Sequence, residues 1–417
     1  MSRQGALKSV MSALLVWLSV SSGAAMAGQP NAAPALAATP PMGWNSWNHY
    51  GCQIDEELIR RTADALAAKG LRDAGYVYVN IDDCWQGERD ANGNIQPDPK
   101  RFPSGMKALG DYLHARGFKF GIYSDTGEKT CAGRPGSQGH EFQDAAQYAR
   151  WGVDYVKYDW CNTGKDEWQR NSREGYRTMQ RAIAASGRAM ILSICEWGET
   201  KPWLWAAKVG QLWRTTGDIT NCWDCVLGHG DWHSNGIMRI VDINEPLRAY
   251  AGPGHWNDPD MMEVGNMATL AEDRSHFALW AMMAAPLIMG THVDTMKPEV
   301  AAILTNRRVI AVDQDARGVQ GLRWFDNGAT QVWAKPLAGG DWAVALVNRS
   351  DRPAKTGIDW ASTPLEDTLN GLFVDFAEQT YGLTDLWTGK STGTTETPLS
   401  VTLAPHDTAI YRLSPRR

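Results

Sequence analysis

"YARWGVDYVKYD", residues 148–159, carries the pattern on which the fold turns. The first four residues close an Ala-bearing helical stretch, Gly152 stops it, and "VDYVKY" is β-branched and aromatic, as a strand prefers. An acid, Asp159, ends the unit. Side chains two apart on a strand share a face, so Lys157 and Asp159 project together from a segment that otherwise reads as core.

The plan recurs along the chain. "ALAAKGLRDAGYVYVNIDD" ends at Asp82 and Asp83, "YLHARGFKFGIYSD" at Asp125, and "AIAASGRAMILSICE" at Glu196. "AAKVGQLWRTTGD" ends at Asp218, and "AGPGHWNDPD" at Asp258 and Asp260. The helical parts keep their period, with Met106, Leu109 and Leu113 on one face before Gly117. With "MGWNSW" first and "APLIMGTH" last, eight strands are predicted near 42–47, 76–83, 118–124, 154–159, 190–196, 211–217, 255–260 and 286–291. Eight βα units in roughly 270 residues predict a (β/α)8 TIM barrel over 39–314. A doubly wound open sheet is the alternative, but no Gly-x-Gly-x-x-Gly follows the first strand.

In such a barrel the active site lies at the C-terminal strand ends. One acid there is ordinarily a helix cap. Capping does not account for six such ends converging on one rim. The barrel mouth is therefore expected to be an acid-lined pocket, into which Lys157 and Asp159 point.

From about 315 the texture changes to short alternating runs such as "WAVALVN", "LSVTL" and "AIYRL". These predict a C-terminal antiparallel β-sandwich over 315–417, an accessory, stabilising domain. At the other end Arg3 and Lys8, then "MSALLVWLSV", then "AMA" at 25–27, read as an export signal over 1–27, with a short tether over 28–38. The protein is thus expected to be exported, periplasmic or secreted, with disulfides permitted and no membrane attachment after cleavage. The net charge of −6 comes without any basic run, which argues against nucleic acid or an anionic membrane as partner. The 20 Trp are an unusual load for any fold; Trp fills cores, and it also stacks on the apolar faces of sugar rings.

Three chemistries use a carboxylate-rich mouth. Mg²⁺ or Ca²⁺ binding wants oxygen ligands, but Lys157 and Arg214 would sit among them, and no metal motif appears. Neither metal nor cofactor is expected. Glycoside hydrolysis needs one ionised and one protonated carboxyl about the anomeric carbon. Asp159 beside Lys157 suits the ionised role, and Asp218 is the candidate acid. Sugar binding without turnover would use the same residues, although it needs fewer acids.

The motifs then resemble those of one family. "TPPMGWNSWN", "NIDDCW", "GIYSD", "KTCAGRPGSQGHE", "VDYVKYDWC", "CEW", "WRTTGDI" and "AGPGHWNDPDMMEVGN" stand in order as in glycoside hydrolase family 27, nearest to its α-galactosidases from plants, fungi and bacteria. The likeness reaches the C-terminal "APHDTAIYRL". It implies retaining, metal-independent hydrolysis of α-galactosides, with Asp159 as nucleophile and Asp218 as acid/base. It further implies that Asp82 and Asp83 hold the 4- and 6-hydroxyls, and that Trp44, Tyr123, Cys131, Lys157, Arg214 and Asp260 line the pocket. Cys195, Glu196 and Trp197 fall where the family meets the ring and the 2-position. Glu196, too large to admit an acetamide, favours galactose over N-acetylgalactosamine; the Asp82–Asp83 pair favours it over arabinopyranose.

The resemblance also implies disulfides Cys52–Cys84 and Cys131–Cys161. Of the seven cysteines, Cys195 is then expected to be a free thiol, and Cys222–Cys225 a short-loop disulfide that the family pattern does not supply. Trp160 and the "GETKPW" loop depart from many relatives, and both could alter leaving-group preference. "NRS" at 348–350 is a glycosylation sequon expected to go unused. Oligomeric state is not legible.

Overall fold

A computed structural model describes residues 36–164 and 170–416. The leader over 1–27, the tether as far as residue 35, and Arg417 lie outside the described residues. All eight barrel strands form: β1 Met42–Asn45, β2 Tyr78–Ile81, β3 Lys119–Asp125, β4 Tyr155–Asp159, β5 Ile191–Ile194, β6 Leu212–Arg214, β7 Trp256–Asp258 and β8 Leu287–Met289. They pair in parallel in that cyclic order, with β8 beside β1. A parallel bridge from Met262, just past β7, to Met289 closes the ring.

Asp125, Asp159 and Asp258 stay in the ladder, whereas Asp82, Asp83 and Asp260 lie just beyond it. The carboxylates of the latter three take up backbone N–H groups: Asp82 accepts from the Asp83 amide, Asp83 from Cys84, and Asp260 from Met261. Each strand has two faces of different character. Val79, Ile81, Phe120, Ile122, Val156, Tyr158, Leu192 and Ile194 face outward into the large core shared with the helices. On the inward face Tyr78, Tyr155, Ile191, Leu212 and Trp256 form a separate buried plug. Two residues further along, the same face becomes Asn80, Lys157, Ser193, Arg214 and Asp258. The period of two thus carries each inward row from a dry plug to a polar mouth. Gly121 is needed in that row, since a Cβ there would meet the Asn80 side chain at 1.8 Å.

The C-terminal part is a sandwich. Its main sheet runs, in spatial order, Leu322–Asp326, Thr330–Pro336, Trp342–Asn348, Thr408–Pro415, Tyr381–Asp385 and Ser391–Thr394, all antiparallel. Strand 342–348 is buried on both faces rather than one. Trp342, Val344 and Leu346 enter the sandwich core, while Ala343, Ala345 and Val347 join the barrel core. They pack toward helix Leu270–Met283, which is therefore buried nearly all round. Asn348 of the sequon is fully buried, and its amide donates to the carbonyls of Arg352 and Ala404 at 2.7 and 2.8 Å, which leaves no nitrogen for a glycan.

Candidate active site

A cavity of about 1380 Å³ opens at the C-terminal ends of the strands. Asp82, Asp83, Tyr123, Cys131, Lys157, Asp159, Trp197, Arg214, Asp218 and Asp260 all line it, from six different strand ends. The register explains part of the grouping. Tyr123 lies beside Lys157, and Asp125 beside Asp159, on adjacent strands.

Two cations organise the acids. Lys157 Nζ donates to Asp82 Oδ2 at 2.9 Å and sits 5.2 Å from the centre of the Tyr123 ring. Burial works against the ammonium, but Asp82, then Cys195, Asp159 and Asp260, hold its pKa well above the usual lysine value. Asp82 Oδ2 also accepts from Asn45 at 2.7 Å, so that acid is fixed from two sides. Arg214 Nη2 reaches Asp260 at 2.8 Å and Asp218 at 3.0 Å. Asp260 is otherwise locked by the Ile219 amide on Oδ2 and the Met261 amide on Oδ1, with its backbone at φ 85°.

Asp159 and Asp218 differ in surroundings. Asp159 is buried, and its Oδ1 accepts from the Trp160 amide at 3.0 Å. Burial pushes its carboxyl up, Lys157 draws it back, and the charge of Asp218 pushes it up again. The Asp218 side chain is 40% exposed, its carboxylate open to whatever fills the cavity. Behind Asp159 lies Asp125, fully buried, accepting from the Gly127 and Cys161 amides at 2.7 and 3.0 Å. Burial and the charge of Asp159 push Asp125 up, toward the neutral acid. Sequence reading placed Asp125 at a strand end but gave it no role; only the register sets it against Asp159.

Three expected residues do not line the cavity. Trp44 is fully buried and donates its indole N–H to the Thr291 carbonyl. Cys195 is a buried free thiol, 3.6 Å from Arg214 Nη1. Glu196 is fully buried; its Oε2 accepts from the Thr200 amide at 2.7 Å, its Oε1 has no partner, and burial pushes its carboxyl up to about 7. Trp197, at φ 56°, turns the chain so that it meets the cavity while Glu196 faces inward. Trp160 is also turned away, stacked on Tyr176 at 5.6 Å. The sequence missed Asn45 as the partner of Asp82, and it missed a hairpin, Val226–Gly228 with His233–Asn235, that walls one side of the cavity. The Gly-punctuated "LGHGDWHSNG" at 227–236 was the available signal.

The disulfides are Cys52–Cys84, Cys131–Cys161 and Cys222–Cys225. The second joins the loop carrying Cys131, to which Tyr123 donates at 3.1 Å, to the residue two beyond Asp159. Asp125, Asp159, Cys131 and Cys161 form a compact group of potential metal ligands among the described residues. Both sulfurs belong to that disulfide, so neither is the thiolate a metal would take.

A barrel whose mouth holds two unlike carboxyls among cation-locked acids is the architecture of a glycoside hydrolase. Comparison with known proteins agrees. A family model described as alpha galactosidase A matches residues 39–315, and one for the alpha galactosidase C-terminal beta sandwich domain matches 327–413. A Cellvibrio japonicus protein, alpha-galactosidase A, is 52% identical over 91% of this chain and 93% of its own. The structure of alpha-galactosidase I from Mortierella vinacea superposes with TM-score 0.83 at 36% identity, covering 92% of this chain and 98% of that one. The Saccharomyces cerevisiae enzyme, solved with raffinose, gives TM-score 0.83 at 30% identity over 92% and 100%. The chain belongs to the alpha-galactosidase family, glycoside hydrolase family 27, and is a hydrolase.

Proposed function

We propose that this protein releases terminal α-D-galactose from oligosaccharides or galactomannan by double displacement. The observation that carries the reading is the pairing of buried Asp159, beside Lys157, with the open carboxyl of Asp218 across one cavity. Asp159 attacks the anomeric carbon and forms a glycosyl ester as the bond to the leaving oxygen breaks. Asp218 gives that oxygen its proton. Asp218 then takes a proton from water as the water oxygen attacks the same carbon, which frees galactose and restores both carboxyls. Lys157, by favouring the charged form of Asp159, keeps the nucleophile ionised. Asp82 and Asp83 hold the 4- and 6-hydroxyls, and Asp83 is fixed for this by the Cys84 and Ala132 amides.

The short side chain of Asp83 supports galactose, which carries a hydroxymethyl group that arabinopyranose lacks, and the likeness to an alpha-galactosidase at 52% identity supports it over the acetamido sugar. The three disulfides support an oxidising, exported location, and no described helix is long and apolar enough to cross a membrane. Hydrolysis rates on the nitrophenyl α-galactoside, β-L-arabinopyranoside and α-N-acetylgalactosaminide test the reading. The galactoside is expected to dominate; a faster arabinopyranoside or acetamido sugar would replace it, and no turnover of any would leave a sugar-binding barrel.

A further inference from the structure

No tryptophan other than Trp232 is exposed among the described residues, and Trp232 is 51% exposed. It lies on the hairpin at the cavity wall, together with His229, Asp231 and His233. One face of its indole is covered by the His229 ring, with centroids 4.0 Å apart and planes 24° from parallel. His229 is itself pinned by Ser234 Oγ at 2.9 Å, and its amide donates to the Trp232 carbonyl at 2.8 Å. Val226 and Leu227, on the first strand of the hairpin, are also exposed.

The hairpin is rooted on Asp218. The Asn235 amide donates to the Asp218 carbonyl at 2.8 Å, and the Thr220 amide donates to the Asn235 carbonyl at 2.9 Å. The Cys222–Cys225 disulfide braces the base on its other side, where Gly236 approaches so closely that a Cβ would meet Cys222 Sγ at 2.6 Å. A general acid stands on the side of the leaving oxygen, because that is the atom it protonates. An aromatic wall growing from the acid's own backbone therefore flanks the leaving group rather than the galactosyl ring.

We infer that the hairpin is the binding platform for the leaving-group sugar, with Trp232 stacking on a pyranose bonded through oxygen to the galactosyl residue. This rests on the glycosidase reading above. The C–H face of a pyranose is apolar and flat enough to cover an indole, and its rim hydroxyls would meet Asp231 and His233. A single rigid ring, backed by a second, binds a leaving sugar without dictating its hydroxyl pattern.

The test compares α-galactosyl fluoride, whose leaving group is one atom, with raffinose and a galactosylated manno-oligosaccharide. In Trp232→Ala the ratio of kcat/KM, oligosaccharide over fluoride, is expected to fall about tenfold. Trp232→Phe restores part of it, and His229→Ala lowers it less. An unchanged ratio, or an equal loss on fluoride and oligosaccharides, overturns the platform while the glycosidase reading stands. Wild-type inactivity on the fluoride and the oligosaccharides overturns both.

Discussion

On the floor of the cavity Lys157 and Arg214 are held by carboxylates at 2.8 to 3.0 Å and are largely shut from solvent, whereas on the hairpin wall Val226, Leu227 and Trp232 expose 55, 49 and 51% of their surface. The floor is charged and rigid because each ion there is compensated by the next. Taking a charge out of water costs several kcal/mol unless a partner offsets it, so such a set tolerates only one arrangement. The wall presents one exposed indole among short polar side chains and is fixed by main-chain hydrogen bonds and a disulfide. On the proposed function the floor selects a sugar by its hydroxyls, and the wall accepts sugars by their faces.

The contrast can be broken most forcefully at the floor. Asp159→Asn removes the attacking oxygen's charge and is expected to cut turnover roughly 10⁴-fold or more on every substrate. Near-normal rates would remove Asp159 from the nucleophile's place. Asp218→Asn should cost about 10² to 10⁴ on oligosaccharides, and distinctly less where the leaving group needs no proton, as with fluoride. Equal losses on the two would argue against its acid role.

Lys157→Met sharpens the account of the floor. Burial raises the Asp159 pKa and Lys157 lowers it, so loss of the cation leaves that carboxyl higher still. The acid limb of the kcat/KM profile, already expected above an ordinary aspartate's, should move further toward neutral pH. Asp82 would also lose its buried partner, at a cost of about 3 to 5 kcal/mol in stability. A limb that stays in place would show that the lysine serves the sugar alone. The smallest effect belongs to the wall. Replacing Cys222 and Cys225 together by Ser opens a loop so short that about 2 kcal/mol at most is lost. Thermal denaturation should shift by a few degrees, with the oligosaccharide-to-fluoride ratio falling about two- to threefold. A larger fall in fluoride hydrolysis would mean that the hairpin holds Asp218 rather than the leaving group.

Local pattern made the floor's residues readable. Lys157 and Asp159 share a face by strand period, and the acids at 82, 83, 218 and 260 close runs that only a βα barrel would bring together. Glu196 and Trp44 were set at the sugar by family resemblance, not by local pattern. The positive φ of Trp197 and the Thr200 amide turn the Glu196 carboxylate into the protein, and a carbonyl 247 residues away takes the Trp44 indole N–H.

By itself the sequence determined the eight βα units, the sandwich beyond them and the acids at the strand ends, because each follows from periodicities of a few residues. The tertiary structure alone decided that Asp125 backs Asp159, that Arg214 divides itself between Asp218 and Asp260, and that a hairpin rooted on Asp218 carries Trp232 to the cavity. Those outcomes depend on register between strands and on backbone bonds closed between separate loops, and neither leaves a mark within any one stretch of chain.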